Sequence, residues 1–381
     1  RRQRQMCIRD RAVIDLSEKG KQPMRSACGR YVIVYNGEIY NYRAIRKELE
    51  KEGVSIDGDS DTAVLLASIV KWGIKSSIKK AHGMFAFSLW DCDDKVLYLV
   101  RDRLGEKPLY YGYSGNQFLF ASELKSLTSF PEWRGEIDRD VLTLQLRHGY
   151  IPAPYSIYKG IFKLLPGSIL KLPLEDLQYR KELNPGGQSI DKNSLSPQRY
   201  WSARSVAETA VNNKVHYTKE EAVNTLQDLL SGTIKNQMIS DVPLGAFLSG
   251  GIDSSIVVAL MQSQSINPVR TFTIGFHEAR FNEAKHAKKV AEHIGTDHTE
   301  MYVTSKEAMD VIPGLPDYYD EPFSDPSQIP TYLVSKLAKE QVTVCLSGDG
   351  GEELFAGYER YFWAMSVRNI IESLPMMARN T

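Results

Sequence analysis

Long apolar runs are missing from this chain: stretches such as Ile256 to Met261 fall far short of the roughly 20 residues a membrane span requires. No apolar core follows the charged Arg1 to Asp10, so no secretory signal is expected in this stretch. Excess charge is missing too. Lys+Arg 47 balances Asp+Glu 47, and no basic field argues for nucleic acid. Cysteine is scarce: Cys7, Cys28, Cys92 and Cys345 show neither paired spacing nor a zinc pattern, which predicts a cytoplasmic location. Cys28 and Cys345 flank or sit in predicted strands and read as core thiols. The seven histidines, His286, His293 and His298 among them, lack metal-ligand spacing and read as surface or packing residues. What remains is a chain of 381 residues, 42% hydrophobic and 25% charged, enough for a sizeable core and for two domains or more. No internal repeat is visible.

The most informative segment is Phe247-Leu248-Ser249-Gly250-Gly251-Ile252-Asp253-Ser254-Ser255. Val242 to Leu248 reads as a buried strand, Ile256 to Met261 as the following helix, and Ser249 to Ser255 as the turn between them. Adjacent glycines let backbone N–H groups approach a ligand closely, and the free N–H groups of a helix start favour an anion. The hydroxyls of Ser249, Ser254 and Ser255 add donors, and Asp253 suits the magnesium that accompanies a polyphosphate. The spacing is neither that of the commoner phosphate loop, with its lysine, nor that of the dinucleotide fingerprint.

Ser-Gly-Gly-x-Asp-Ser-Ser after a hydrophobic strand is similar to the pyrophosphate loop of ATP pyrophosphatases that adenylate their substrates. A second strand, Val342 to Leu346, precedes Ser347-Gly348-Asp349-Gly350-Gly351-Glu352-Glu353-Leu354-Phe355-Ala356-Gly357-Tyr358, and together the two segments resemble the synthetase half of glutamine-dependent asparagine synthetases. That resemblance implies that Leu248, Ile274, Ser347 and Gly348 contact the adenosine part of ATP. It also implies that Asp253 and Glu352 hold Mg2+ and that Asp349 lies near the reacting carboxylate. The family usually carries Asp where this chain has Glu352, which reaches one methylene further.

Upstream, Tyr31 to Tyr35 alternates as a strand and runs into Asn36-Gly37-Glu38-Ile39-Tyr40-Asn41. Asn-Gly after a strand by itself predicts a tight hairpin turn. Yet Gln22-Pro23-Met24, the Asn36 run, Ser60-Asp61-Thr62, Gly83 to Phe87 and Arg101 to Tyr110 follow in the order of a class II glutamine amidotransferase, which the segment resembles. The resemblance implies that the Asn36 side chain and Gly37 N–H stabilise an oxyanion, and that Glu38 and Asp61 bind the α-amino and carboxyl ends of glutamine. In that family an N-terminal cysteine is the nucleophile. Met6-Cys7 has the right residues, but only six residues separate Cys7 from Ile14 where the family has several tens. Arg1 to Arg11 therefore reads as an artefact, and glutaminase activity as incomplete.

Organisation follows from periodicity. Residues 12–200 predict an α+β amidotransferase domain of the Ntn hydrolase type, antiparallel sheets layered with helices. The Pro, Gly, Ser and Asn-rich Asn184 to Pro197 reads as a loop near the boundary. Residues 201–381 alternate helix and strand from Thr218 onward and predict an α/β parallel-sheet ATP-pyrophosphatase domain. Tyr319 to Thr331, acidic and proline-punctuated, is assigned to the synthetase site region. The implied reaction takes glutamine, aspartate and ATP, passes ammonia through an internal tunnel, and forms asparagine by way of an acyl adenylate. A homodimer is compatible with this reading. The downstream lysine of the family has no match before Thr381, so the chain is expected to be cut at both ends. Two alternatives stay open: a related amidotransferase or cyclase adenylating another carboxylate, and a non-catalytic nucleotide-binding fragment.

Overall fold

The computed structural model describes residues 20–187, 194–278, 282–355 and 357–373. Cys7, the basic stretch around it and Ile14 to Ser17 lie outside the described residues. The chain divides into two compact units, Arg1–Thr225 with Ile239–Asp241 and Val311–Pro326, and Leu226–Met238 with Val242–Asp310 and Ser327–Thr381.

The first unit carries β1 (Met24–Arg25), β2 (Tyr31–Ile39), β3 (Gly83–Asp91), β4 (Val96–Arg101), β5 (Tyr110–Ser114), β6 (Gln117–Ala121), β7 (Ile161–Lys163), β8 (Ser168–Pro173) and β9 (Gln198–Arg199). They form an antiparallel sheet in the order β1-β2-β3-β4-β8-β9 and a smaller antiparallel one in the order β6-β5-β7. Side chains alternate across the larger sheet. Ile33, Tyr35 and Ile39 of β2 and Phe85, Phe87 and Leu89 of β3 enter one core with the helices Tyr42–Lys51 and Asp61–Trp72. On the other face, Ala86, Leu99, Leu170 and Leu172 meet Tyr111, Phe118 and Phe162 of the smaller sheet. The layers are thus helix, sheet, sheet, as the residue pattern predicts. The helix Asp61–Trp72 starts where the Ser60 hydroxyl accepts from Ala63 N at 3.1 Å and stops at Gly73, whose positive φ suits glycine.

Two local expectations change. Asn36-Gly37 makes no hairpin; β2 runs straight through it, because its neighbour β3 pairs residue for residue from Tyr31↔Asp91 to Ile39↔Gly83. Besides Tyr42–Lys51 and Asp61–Trp72, this unit carries the helices Ile74–Lys80, Leu124–Thr128 and Arg139–His148 between Tyr31 and Leu170. Cys28 is exposed in the turn between β1 and β2 rather than packed in the core, while burial pushes the half-buried Cys345 thiol up to about 11.

The second unit holds β10 (Leu244–Phe247), β11 (Arg270–Phe276), β12 (Asp297–Val303) and β13 (Val344–Leu346), all parallel, in the order β12-β11-β10-β13. Ala246 and Leu248 face a core shared with the helices Ile252–Ser263 and Ala284–Ile294. Phe247 turns to the opposite face with Leu337 and Ala338 of the helix Gln328–Lys339. Helices therefore cover both faces. The chain winds outward from β10 to β12, then returns to place β13 on β10's free side. That reversal of direction opens a crevice beyond the carboxyl ends of β10 and β13, where sheets of this kind bind ligands.

Candidate functional site

Both loops expected to meet a nucleotide lie at that crevice. Leu248 is buried and its N–H donates to Phe272 O at 3.0 Å, carrying the chain past β10 into Ser249-Gly250-Gly251. Gly250 has φ +81°, and a Cβ there would stand 2.7 Å from Ala287 N, so only glycine fits without movement. The loop is tied by hydroxyls: Ser249 Oγ and Ser254 Oγ lie 2.9 Å apart, Gly251 N donates to Ser249 Oγ at 3.2 Å, and Ser255 Oγ donates to Gly251 O at 2.6 Å. The buried Ser254 thus serves the loop's own shape, while the exposed Ser249 and Gly251 present the outer surface.

The second loop backs onto the first. A Cβ at Gly348 would lie 2.6 Å from Ser254 N, and one at Gly351 would overlap the Asp253 carboxylate. Two glycines therefore allow the loops after β10 and β13 to touch. Ser347 Oγ donates to Asp349 Oδ2 at 2.9 Å, which holds that exposed carboxylate over the loop. Ile274 sits on β11 two residues beyond Phe272, the partner of Phe247, at the same end of the sheet. Asp253 takes no hydrogen bond or ion pair among the described residues, and Glu352 is half-buried on the adjoining turn. No group of three or more His, Cys, Asp or Glu side chains among the described residues could cage a metal. The donor set fits a magnesium ion that arrives with phosphate oxygens and borrows one or two carboxylates.

The upstream cluster gathers on β2. Even-numbered residues of β2 bond to β3, as the Tyr40 N to His82 O bond continues, so the odd-numbered N–H groups face the other edge. There Tyr35 N donates to Gln22 Oε1 at 2.6 Å and Ile39 N to Asp61 Oδ2 at 2.8 Å. Gly37 N–H lies between them, past the end of β1, with no acceptor among the described residues. A Cβ at Gly37 would overlap Met84 O, which explains the glycine. Asn36 points to the other face, its Nδ2 donating to Ser122 Oγ at 3.0 Å.

Asp61 is almost fully buried. Burial pushes its carboxyl up, against the bonds from Ile39 N and from Tyr35 OH at 2.9 Å that favour the charged form. Desolvation, then the neighbouring Asp61, pushes Glu38 up to about 7. Asp102, in the Arg101 to Tyr110 run, is fully buried and accepts from the N–H groups of Phe85, Gly105, Glu106 and Lys107 at 2.6 to 3.2 Å. Its carboxylate shapes the turn after β4. Gln22, Tyr35, Asp102 and Ser122 support this region by hydrogen bonds that the sequence pattern does not announce.

The chain matches the family described as asparagine synthase over residues 225–381 and the glutamine amidotransferase domain over residues 4–182. It is 36% identical over 385 residues to a protein of Methanocaldococcus jannaschii provisionally named asparagine synthetase (glutamine-hydrolysing) 2, covering 97% of this chain and 69% of that one. The chain belongs to the asparagine synthetase family. Within that family it is 37% identical to asparagine synthetase (glutamine-hydrolysing) 1 of Bacillus subtilis, over 94% of this chain and 52% of the relative. Identity to the Homo sapiens asparagine synthetase is 29%, over 94% of this chain and 60% of the human protein. This family member therefore spans between about half and two thirds of the length of these relatives. A solved Bacillus subtilis glutamine phosphoribosylpyrophosphate amidotransferase covers 75% of this chain and 49% of its own at 16% identity, with a TM-score of 0.32, a likeness too slight to bear on the fold.

Proposed function

We propose that this protein makes asparagine from aspartate, using ATP and ammonia released from glutamine. The observation that carries the reading is the contact of the two loops at the strand-order reversal, where the absence of a Cβ at Gly348 and Gly351 lets the loop after β13 lie against Ser254 and Asp253. In this reading the N–H groups around Gly250 and Gly251 and the start of the helix Ile252–Ser263 take the pyrophosphate portion of ATP. They stabilise charge as pyrophosphate departs from ATP while the aspartate carboxylate forms its bond to the α-phosphorus, and ammonia later displaces AMP from the resulting acyl adenylate. Leu248, Ile274, Ser347 and Gly348 receive the adenosine portion, and Asp349 stands beside the aspartate carboxylate. Asp253 and Glu352 would hold magnesium, which when bound neutralises polyphosphate charge. In the first unit, Gly37 N–H and the Asn36 amide stabilise the oxyanion that forms when a thiolate attacks the glutamine amide, with Glu38 and Asp61 binding the amino acid ends; the described residues do not include that thiolate. Ammonia then passes to the adenylate.

ATP/pyrophosphate exchange with magnesium, aspartate and ammonium tests the reading. Exchange that requires aspartate and disappears in Asp253→Ala supports it. Exchange with a different acid only would keep the chemistry and sink the asparagine assignment; silence with every acid would sink both.

A further inference from the structure

The Asn36 amide is held from behind by a turn that does not belong to its own hairpin. Ser122, whose Oγ accepts from Asn36 Nδ2, follows β6 directly and stands two residues ahead of the helix Leu124–Thr128. The first N–H groups of that helix, Leu124 N and Lys125 N, donate to the two carboxylate oxygens of Asp320 at 2.7 and 3.2 Å. Lys125 Nζ reaches the carbonyls of Asp317 and Tyr318, both at 3.2 Å. Asp320 lies on the strap Val311–Pro326, which comes from the sequence between β12 and β13 yet belongs to the first unit. The strap is firmly seated. Glu321, largely buried, pairs with Lys163 and accepts from Ile157 N at 2.8 Å, and Ser324 N donates to Gly149 O at 2.6 Å.

A carboxamide has two N–H groups. With one engaged by Ser122, the plane of the amide is fixed and the second remains for a substrate oxygen. A serine on an unrestrained turn would fix little, but charge-assisted bonds from Asp320 restrain this one. We propose that Ser122 and Asp320 are positioning residues for Asn36: the strap carboxylate sets the turn, and the turn hydroxyl aims the oxyanion donor. The inference rests on the reading of Asn36 as that donor. It makes the synthetase half of the sequence supply the group that tunes the glutaminase site.

The test combines kinetics with a direct view of the amide. Glutamine hydrolysis is measured on the full protein carrying Ser122→Ala, Ser122→Thr or Asp320→Ala, and the side-chain NH2 resonance of Asn36, assigned by its loss in Asn36→Asp, is followed by NMR. Removing an oxyanion donor outright lowers kcat by about 10²–10³. Loosening one is expected to lower kcat by roughly tenfold with KM unchanged, because the contact forms in the transition state. Ser122→Thr restores the rate. The Asn36 resonance shifts in both alanine variants, and the double variant shifts it no further than Ser122→Ala alone. Should Asp320→Ala fail to fold, Asp320→Asn, which keeps one acceptor oxygen, gives a smaller shift of the same sign. Wild-type kcat and an unmoved Asn36 resonance in Asp320→Ala or Asp320→Asn overturn the proposal. Absence of turnover in the unsubstituted protein instead overturns the glutaminase reading and with it the catalytic meaning of both residues; the resonance then reports separately on the contact chain.

Discussion

Glu38 is a carboxylate held near neutrality by burial and by Asp61, its pKa raised to about 7. In the proposed role of Glu38 only the charged form attracts the α-ammonium of glutamine, so KM for glutamine is expected to rise as pH falls through about 7 and to level off above it. A KM profile from pH 6 to 8.5 checks this, and Glu38→Gln should abolish the pH dependence while leaving KM high throughout. The same raised pKa means that protonation favours the folded state: the stability it contributes is full below the ordinary carboxylate value of 4.5, declines as pH rises from there, and is lost once pH passes about 7. At the other site, Gly250 combines φ +81° with backbone neighbours that cannot yield. Gly250→Ala is expected to cost about 1–3 kcal/mol and to weaken ATP binding, measured by urea midpoint and by titration calorimetry. These glycines were legible as a motif because a ligand-facing loop constrains residue type at consecutive positions. Ser122 and Tyr35 were not, since each acts through one bond to a residue 86 or 26 positions away, and a single hydroxyl leaves no pattern in sequence.

At the scale of elements, the turn after β4 depends on one side chain. Asp102 satisfies four backbone N–H groups, so Asp102→Ala leaves buried donors unpaired and is expected to cost on the order of 3–5 kcal/mol in denaturant unfolding. Elements with a strong local signal were legible: β10 and β13 from apolar runs, and the helix after Thr218 from the pattern Thr218-Lys219-Glu220-Glu221, whose reciprocal capping bonds run from Thr218 N to Glu221 Oε2 at 2.8 Å and from Glu221 N to Thr218 Oγ1 at 3.2 Å. The continuity of β2 through Asn36-Gly37 was hidden because turn propensity is local whereas the nine-residue ladder with β3 is made by residues some fifty positions downstream. Within the segment Tyr319 to Thr331, residues up to Pro326 belong to the first unit, through contacts of Asp320, Glu321 and Ser324 that no spacing announces.

For the molecule as a whole, two units with separate cores predict heat absorption that is not a single two-state event. Magnesium ATP is expected to raise the transition of the parallel-sheet unit and glutamine that of the antiparallel one, each by up to about 2.7 kcal/mol at a hundredfold excess over Kd; calorimetry with each ligand alone checks the assignment. The order β12-β11-β10-β13 has a further consequence for a chain still being made. Leu244 pairs with Val344, so the last strand meets the first across roughly a hundred residues, a closure worth about 4 kcal/mol of chain entropy. A ribosome adding ~5–20 residues per second needs some seconds to travel that distance. Throughout that interval β10 has a bare edge where its neighbour will later lie, and no nucleotide can shelter it, because the second wall of the crevice has not yet been translated. A nascent chain paused after β12 would therefore offer an aggregating strand edge beside the proposed nucleotide site.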